Sequence, residues 1–149
     1  MYKLFQNEQQ KREWELKKAA QKEISPIRLR AYERLALVLE RTQPEHLLMD
    51  LDVSQFTVPQ LQQRLLQTIR LEFDHNISQQ IYVSEQVWDK IVAARGQMLA
   101  FVSAMAMQLP AESTSLDYAK TLLTAYSTNG ETANETALHA LKEEAARLI

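Results

Sequence analysis

Apolar residues return at helical spacing through most of this chain. From Pro26 to Thr42, Leu29, Tyr32, Leu35, Ala36 and Leu39 fall on one side, with Arg30, Glu33, Arg34, Glu40 and Arg41 on the other. This pattern predicts an amphipathic helix. Pro26 lacks an N–H and crowds the carbonyl of Lys22, so a helix is expected to restart or kink there. The short segment PEHLLMDLD after Thr42 predicts one or two further turns.

The next start signal is sharper. Thr57 and Gln60 have capping-box spacing, with Phe56 and Leu61 at the staple positions and Pro59 in the first turn. Leu61, Leu65, Ile69 and Phe73 then form an i, i+4 ridge. QIYVS at 80–84 has local strand character but no strand to pair with, and it is expected to be an extended connector. Ser84 opens a long helix with Val83 and Trp88 as its staple and the stripe Val87, Ile91, Ala94, Met98, Val102 and Met105. Between Met98 and Met107 the residues are apolar nearly all round, which predicts a central core helix or one buried against another chain. Gly96 is expected to allow a close helix contact.

Pro110 ends that helix. Thr114 with Asp117 opens another, with Leu116, Ala119, Leu122, Leu123 and Tyr126 expected inward, and Asn129-Gly130 is expected to close it with a left-handed cap. Thr132 with Glu135 opens the last, with Ala137, Leu138, Leu141, Ala145 and Leu148 inward. The pattern therefore predicts an all-α fold: an irregular bundle of about five helices over residues 25–149, starting near Pro26, Thr57, Ser84, Thr114 and Thr132. The scarcity of glycine, two in 149 residues, argues against hairpins and against phosphate-cradling loops.

Residues 1–24 differ from the rest. QNEQQKREWELKKAAQKE at 6–23 is made of strong helix formers with almost no apolar face. Such a helix cannot be a core element; it projects, bridges or lies along another surface. Residues 1–30 carry a net charge of +4 and the remainder −6. A basic end on an acidic body suits an anionic membrane surface or an acidic partner. Lys11, Arg12, Lys17, Lys18 and Lys22 are the candidate contacts, and Trp14 and Leu16 are candidates for pairing this helix with that of a second copy. Four glutamates dilute the basic run, which argues against nucleic acid as the partner.

Three stretches, RLRAYERLALVLER at 28–41, QLQQRLLQTIRLEFDHN at 60–76 and SQQIYVS at 78–84, resemble an uncharacterised bacterial family, and the resemblance extends from about residue 7 to the C-terminus. In that family a single N-terminal membrane helix precedes a charged stalk like QNEQQKREWELKK. The resemblance implies an anchored helical domain; no catalytic or binding residues come with it. No window of this chain reaches 18 apolar residues, so it either begins just after such a span or is a relative without one. With a span before it, basic residues just inside would place the domain at the cytoplasmic face of a membrane; without one it is expected in the cytoplasm.

Chemistry is sparse. The chain has no cysteine, which removes thiol catalysis and thiolate metal sites. Glu72 and His75 have the E-x-x-H spacing of di-iron bundles, but such sites need two pairs and two further carboxylates. His46, Asp50 and Asp52 lie close in sequence, yet at most two share a helical face. No nucleophile elbow is present. No cofactor is expected. The reading is a non-enzymatic interaction or scaffold domain held near a membrane; the alternative is a metal-binding or enzymatic bundle using the carboxylates and histidines of residues 45–75.

Overall fold

The computed structural model describes the backbone of residues 2–148 and the side chains of residues 6–19 and 26–148. The fold is all-α. Among the described residues six α-helices follow one another: α1 (Tyr2–Arg41), α2 (Pro44–Met49), α3 (Val58–Asp74), α4 (Glu85–Met107), α5 (Ser115–Thr128) and α6 (Ala133–Leu148). Two 3-10 segments, Val53–Gln55 and Ile77–Tyr82, precede α3 and α4.

The helix starts follow the capping chemistry. Thr57 accepts from the Gln60 N–H and the Gln60 side chain accepts from the Thr57 N–H, closing a reciprocal box at α3. Thr114 and Asp117 do the same at α5. Ser84 accepts from the Val87 N–H at α4, and Thr132 from the Glu135 N–H at α6. Each such cap satisfies a backbone donor that the first helical turn leaves without a partner and stabilises the helix by about 1 kcal/mol.

The start expected at Pro26 is absent: α1 runs unbroken through it for 40 residues. Pro26 is exposed, so solvent can serve the carbonyl its ring leaves without a donor. The boundary drawn between residues 24 and 25 thus falls inside one helix.

The core is one cluster. Tyr32, Leu35, Val38 and Leu39 of α1, the whole α3 ridge of Leu61, Leu65, Ile69 and Phe73, and Val87, Ile91, Ala94, Met98 and Val102 of α4 are buried together with Tyr118, Leu122, Ala137 and Leu141. Helix α4 packs against α3, α5 and α6, while α1 lies along α6 and touches α2, α3 and the 77–82 segment.

Several expectations need correction. Residues 77–82 form a 3-10 segment rather than an extended connector; only Val83 and Ser84 are extended. Gly96 is on the solvent side of α4, and a Cβ there would meet nothing within 4 Å, so it serves no close helix contact. No described residue has positive φ, so Asn129-Gly130 is not a left-handed cap; Asn129 ends α5 at φ −86°, ψ 83°. Leu29, Leu116, Leu123 and Leu148, expected inward, are exposed, while Ala31, Val38, Tyr118 and Asn134 take the interior positions. Met107 points to solvent at 86% exposure, so the apolar run of α4 is a buried stripe with an exposed end.

Candidate functional site

Residues 6–19 of α1 are exposed without exception. At about 100° per residue, Lys11, Trp14, Lys17 and Lys18 fall within about 60° of one another's centre at Trp14, whereas Glu8, Glu13 and Glu15 lie about 100–120° away on the flanks. These three glutamates, which dilute the basic run in sequence, are therefore kept off one face in space. That face carries three ammonium groups around one indole. The Lys18 Nζ sits 4.7 Å from the centroid of the Trp14 ring, within cation–π range, so the aromatic and the charge act as one unit.

Arg12 and Leu16 lie on the opposite side, about 160–200° from Trp14. Trp14 is 60% and Leu16 70% exposed, yet the two cannot belong to one pairing seam. Any surface that meets this helix along its length uses Trp14 or Leu16, not both. The side chain of Lys22 lies outside the described residues.

Beyond the stalk, α1 enters the bundle at a cleft of about 320 Å³ where Arg28, Tyr32, Tyr82, Ser84, Glu144 and Arg147 meet. Glu144 organises it. Its Oε2 accepts from the Tyr32 hydroxyl at 2.9 Å and from the Ser84 N–H at 3.1 Å. Burial pushes the Glu144 carboxyl up, but the hydrogen bonds from Ser84 and Tyr32 and the nearby Arg147 outweigh it and hold its pKa below the ordinary value. Tyr32 is pushed up to about 12, by burial first and then by Glu144, against the opposing charge of Arg28. Sequence reading missed this constellation because its members are 60 and 112 residues apart and share no motif.

The His and carboxylate candidates do not gather. Among the described residues no three His, Asp or Glu side chains are placed to hold a metal ion. His75 is the exposed C-cap of α3, and Glu72 of the same helix is half-buried beside Asn76, whose side chain donates to the Glu72 carbonyl. His46 and Asp50 sit exposed on α2 and at its end, and Asp52 caps the Val53–Gln55 segment through Ser54. The side-chain and backbone hydrogen bonds from Ser54 hold the Asp52 carboxyl below its usual value. These are local capping roles.

Fold and surface together define a class: an all-α bundle whose first helix continues outward as an exposed charged rod. The chain belongs to the Family of unknown function (DUF7935), whose model matches residues 1–148. Comparison with curated proteins and with solved structures gives no match.

Proposed function

We propose that this protein is a non-enzymatic interaction or scaffold domain held close to an anionic membrane surface by the outer half of α1. The observation that carries this reading is the segregation of charge on that half. Lys11, Lys17 and Lys18 ring Trp14 on one face, and Glu8, Glu13 and Glu15 stay off it. A basic face with an amphipathic indole at its centre suits the headgroup region of a bilayer, where each basic residue near an anionic surface contributes about 1 kcal/mol. Such attraction alone gives weak attachment, and firm anchoring needs a second signal. Resemblance to a bacterial family with a membrane helix ahead of its stalk supplies a rationale for that signal, with the bundle on the cytoplasmic side. Among the described residues no helix is long and apolar enough to cross a membrane.

An unbroken α1 adds a mechanical point. The same helix carries the basic face and, from Ala31 onward, contributes to the core. Whatever holds the outer half therefore also holds the bundle through one helix rather than through a loose linker.

The test is co-sedimentation of the full chain with vesicles of phosphatidylcholine alone or mixed with phosphatidylserine, at low and high salt. Binding to the anionic vesicles only, abolished by salt and by the triple change Lys11→Glu, Lys17→Glu, Lys18→Glu, is the expected result. Binding that ignores salt, or that survives the triple change, overturns the proposal.

A further inference from the structure

On the bundle, away from the stalk face, lies a cleft of about 490 Å³ between the end of α3, the 77–82 segment and the first half of α4. Its walls are mostly apolar, with Asp74, Gln80 and Arg95 the polar members: Phe73 and Ile91 are buried, Trp88 is half-buried, and Ile77 and Val92 are about half exposed at 53% and 50%. One cation opens onto it. Arg95 has its Nη2 3.5 Å from Asp74 Oδ1, a long and weak pairing with a carboxylate that is itself 57% exposed. The Arg95 Nε is buried and has no hydrogen-bond acceptor, and it is the one buried side-chain polar atom among the described residues in that condition. A guanidinium N–H withdrawn from water without an acceptor is costly, and protein structures rarely leave one so.

We infer that this cleft is a binding site for a small ligand with an apolar body and a carboxylate end, the body against Trp88, Phe73 and Ile77 and the carboxylate on Arg95. Three observations converge. The volume lies within the range of about 300–1,000 Å³ usual for small-molecule sites, the lining is mostly apolar, and Arg95 is the one cation among the lining residues. The Arg95 side chain is 37% exposed, and a carboxylate in the cleft can pair with the outer part of its guanidinium in a charge-assisted hydrogen bond. Asp74 reaches Nη2 only at long range, so it competes with the ligand carboxylate through its charge. The site does not involve the residues of α1 on which the proposed function rests, so the two stand or fall separately.

Trp88 is a built-in reporter, because Trp14 on the stalk is the only other tryptophan. In full-length protein carrying Trp14→Phe, titration with 4-phenylbutyrate is expected to give a saturable change in tryptophan emission, with the neutral 4-phenylbutanamide binding at least about tenfold more weakly. Arg95→Met should weaken the acid to the level of the amide and leave the amide unchanged. Asp74→Asn should tighten the acid several-fold, since it removes the competing charge. Val92→Glu, at an exposed position three residues before Arg95, brings an intramolecular carboxylate to the cleft and should abolish binding; it keeps the test decisive if Arg95→Met does not fold. Equal affinity for acid and amide, unchanged affinity in Arg95→Met or Val92→Glu, or no saturable response at millimolar concentration would each overturn the inference.

Discussion

The Tyr32 hydroxyl of α1 donates to Glu144 of α6 at 2.9 Å, across 112 residues of sequence, and the same oxygen of Glu144 accepts from the backbone N–H of Ser84. One carboxylate thus fastens the point where α1 enters the bundle to both the last helix and the start of α4. Removing it by Glu144→Ala leaves a half-buried backbone donor and a buried hydroxyl without their acceptor, a cost of roughly 1–3 kcal/mol. The pH dependence has a definite sign. The folded-state pKa of Glu144 is depressed, so its contribution is present above the unfolded-state pKa and is lost as pH falls through the folded-state value. Urea unfolding of wild type and Glu144→Ala should therefore differ at neutral pH and converge in acid. A gap that stays constant into acid would contradict this account.

At the alkaline end the tyrosines govern. Tyr118 is fully buried, its hydroxyl donates to the Val102 carbonyl at 2.6 Å, and burial pushes its pKa up to about 12, where Tyr32 also lies. A folded pKa above the unfolded value of about 10 means that stability is intact below pH 10 and falls as pH rises from there through 12. The unfolding midpoint should drop across that interval, in step with tyrosinate absorbance. Tyr118→Phe should cost about 1 kcal/mol at neutral pH through the lost hydrogen bond, yet show a shallower alkaline decline. An equally steep decline would show that Tyr118 does not contribute to it.

How much of this was readable in the sequence follows from the range of each interaction. Thr57 with Gln60, Ser84 with Val87 and Thr114 with Asp117 act over three residues, so composition and spacing reveal them. The Leu61–Phe73 ridge was equally legible, since an i, i+4 repeat of large apolar residues has one side to bury. Periodicity failed where apolar residues cover more of the helix than the core can take. In α5, Leu116 and Leu123 lost the interior to Tyr118 and Ser115, because Tyr118 reaches the Val102 carbonyl and Ser115 donates to the Val53 carbonyl at 2.6 Å. Pro26 misled because a proline breaks a helix only when the surroundings cannot bear the missing donor. The Glu144 and Arg95 sites were invisible: Glu144 pairs with residues 60 and 112 positions away and Arg95 with one 21 away, and these types carry no motif.

Gly96 offers a direct check on one correction. It sits in the middle of α4, exposed, with open space where a Cβ would stand. Its only effect there is to enlarge the conformational freedom of the unfolded chain. Gly96→Ala should stabilise the protein by about 0.5–1 kcal/mol and raise the thermal midpoint by a few degrees. Destabilisation would show that the backbone at this position needs glycine after all.

The most exacting test of the packing concerns Asn134, which is 1% exposed at the start of α6. Its Nδ2 donates to the Leu39 carbonyl at 2.8 Å and to Thr42 Oγ1 at 3.1 Å, while Thr42 donates to the Val38 carbonyl. Asn134 therefore closes the C-terminal end of α1, where carbonyls lack helical partners and the helix dipole is negative. Asn134→Ala removes the donor and leaves a small void, which should cost roughly 2–3 kcal/mol. Asn134→Asp keeps the shape but replaces a donor by a negative charge facing two oxygens and the negative end of α1. It should destabilise more than alanine at neutral pH. The ordering should then change with pH. A buried Asp at this place has a folded pKa above its unfolded value, so its protonated form, which can donate to Leu39, is favoured as pH falls. The deficit of Asn134→Asp relative to Asn134→Ala should shrink steadily in acid, in a comparison that cancels the acid sensitivity of Glu144. A deficit that is absent at neutral pH, or that does not shrink on acidification, would mean that the Nδ2 donor is not what holds the end of α1 against α6.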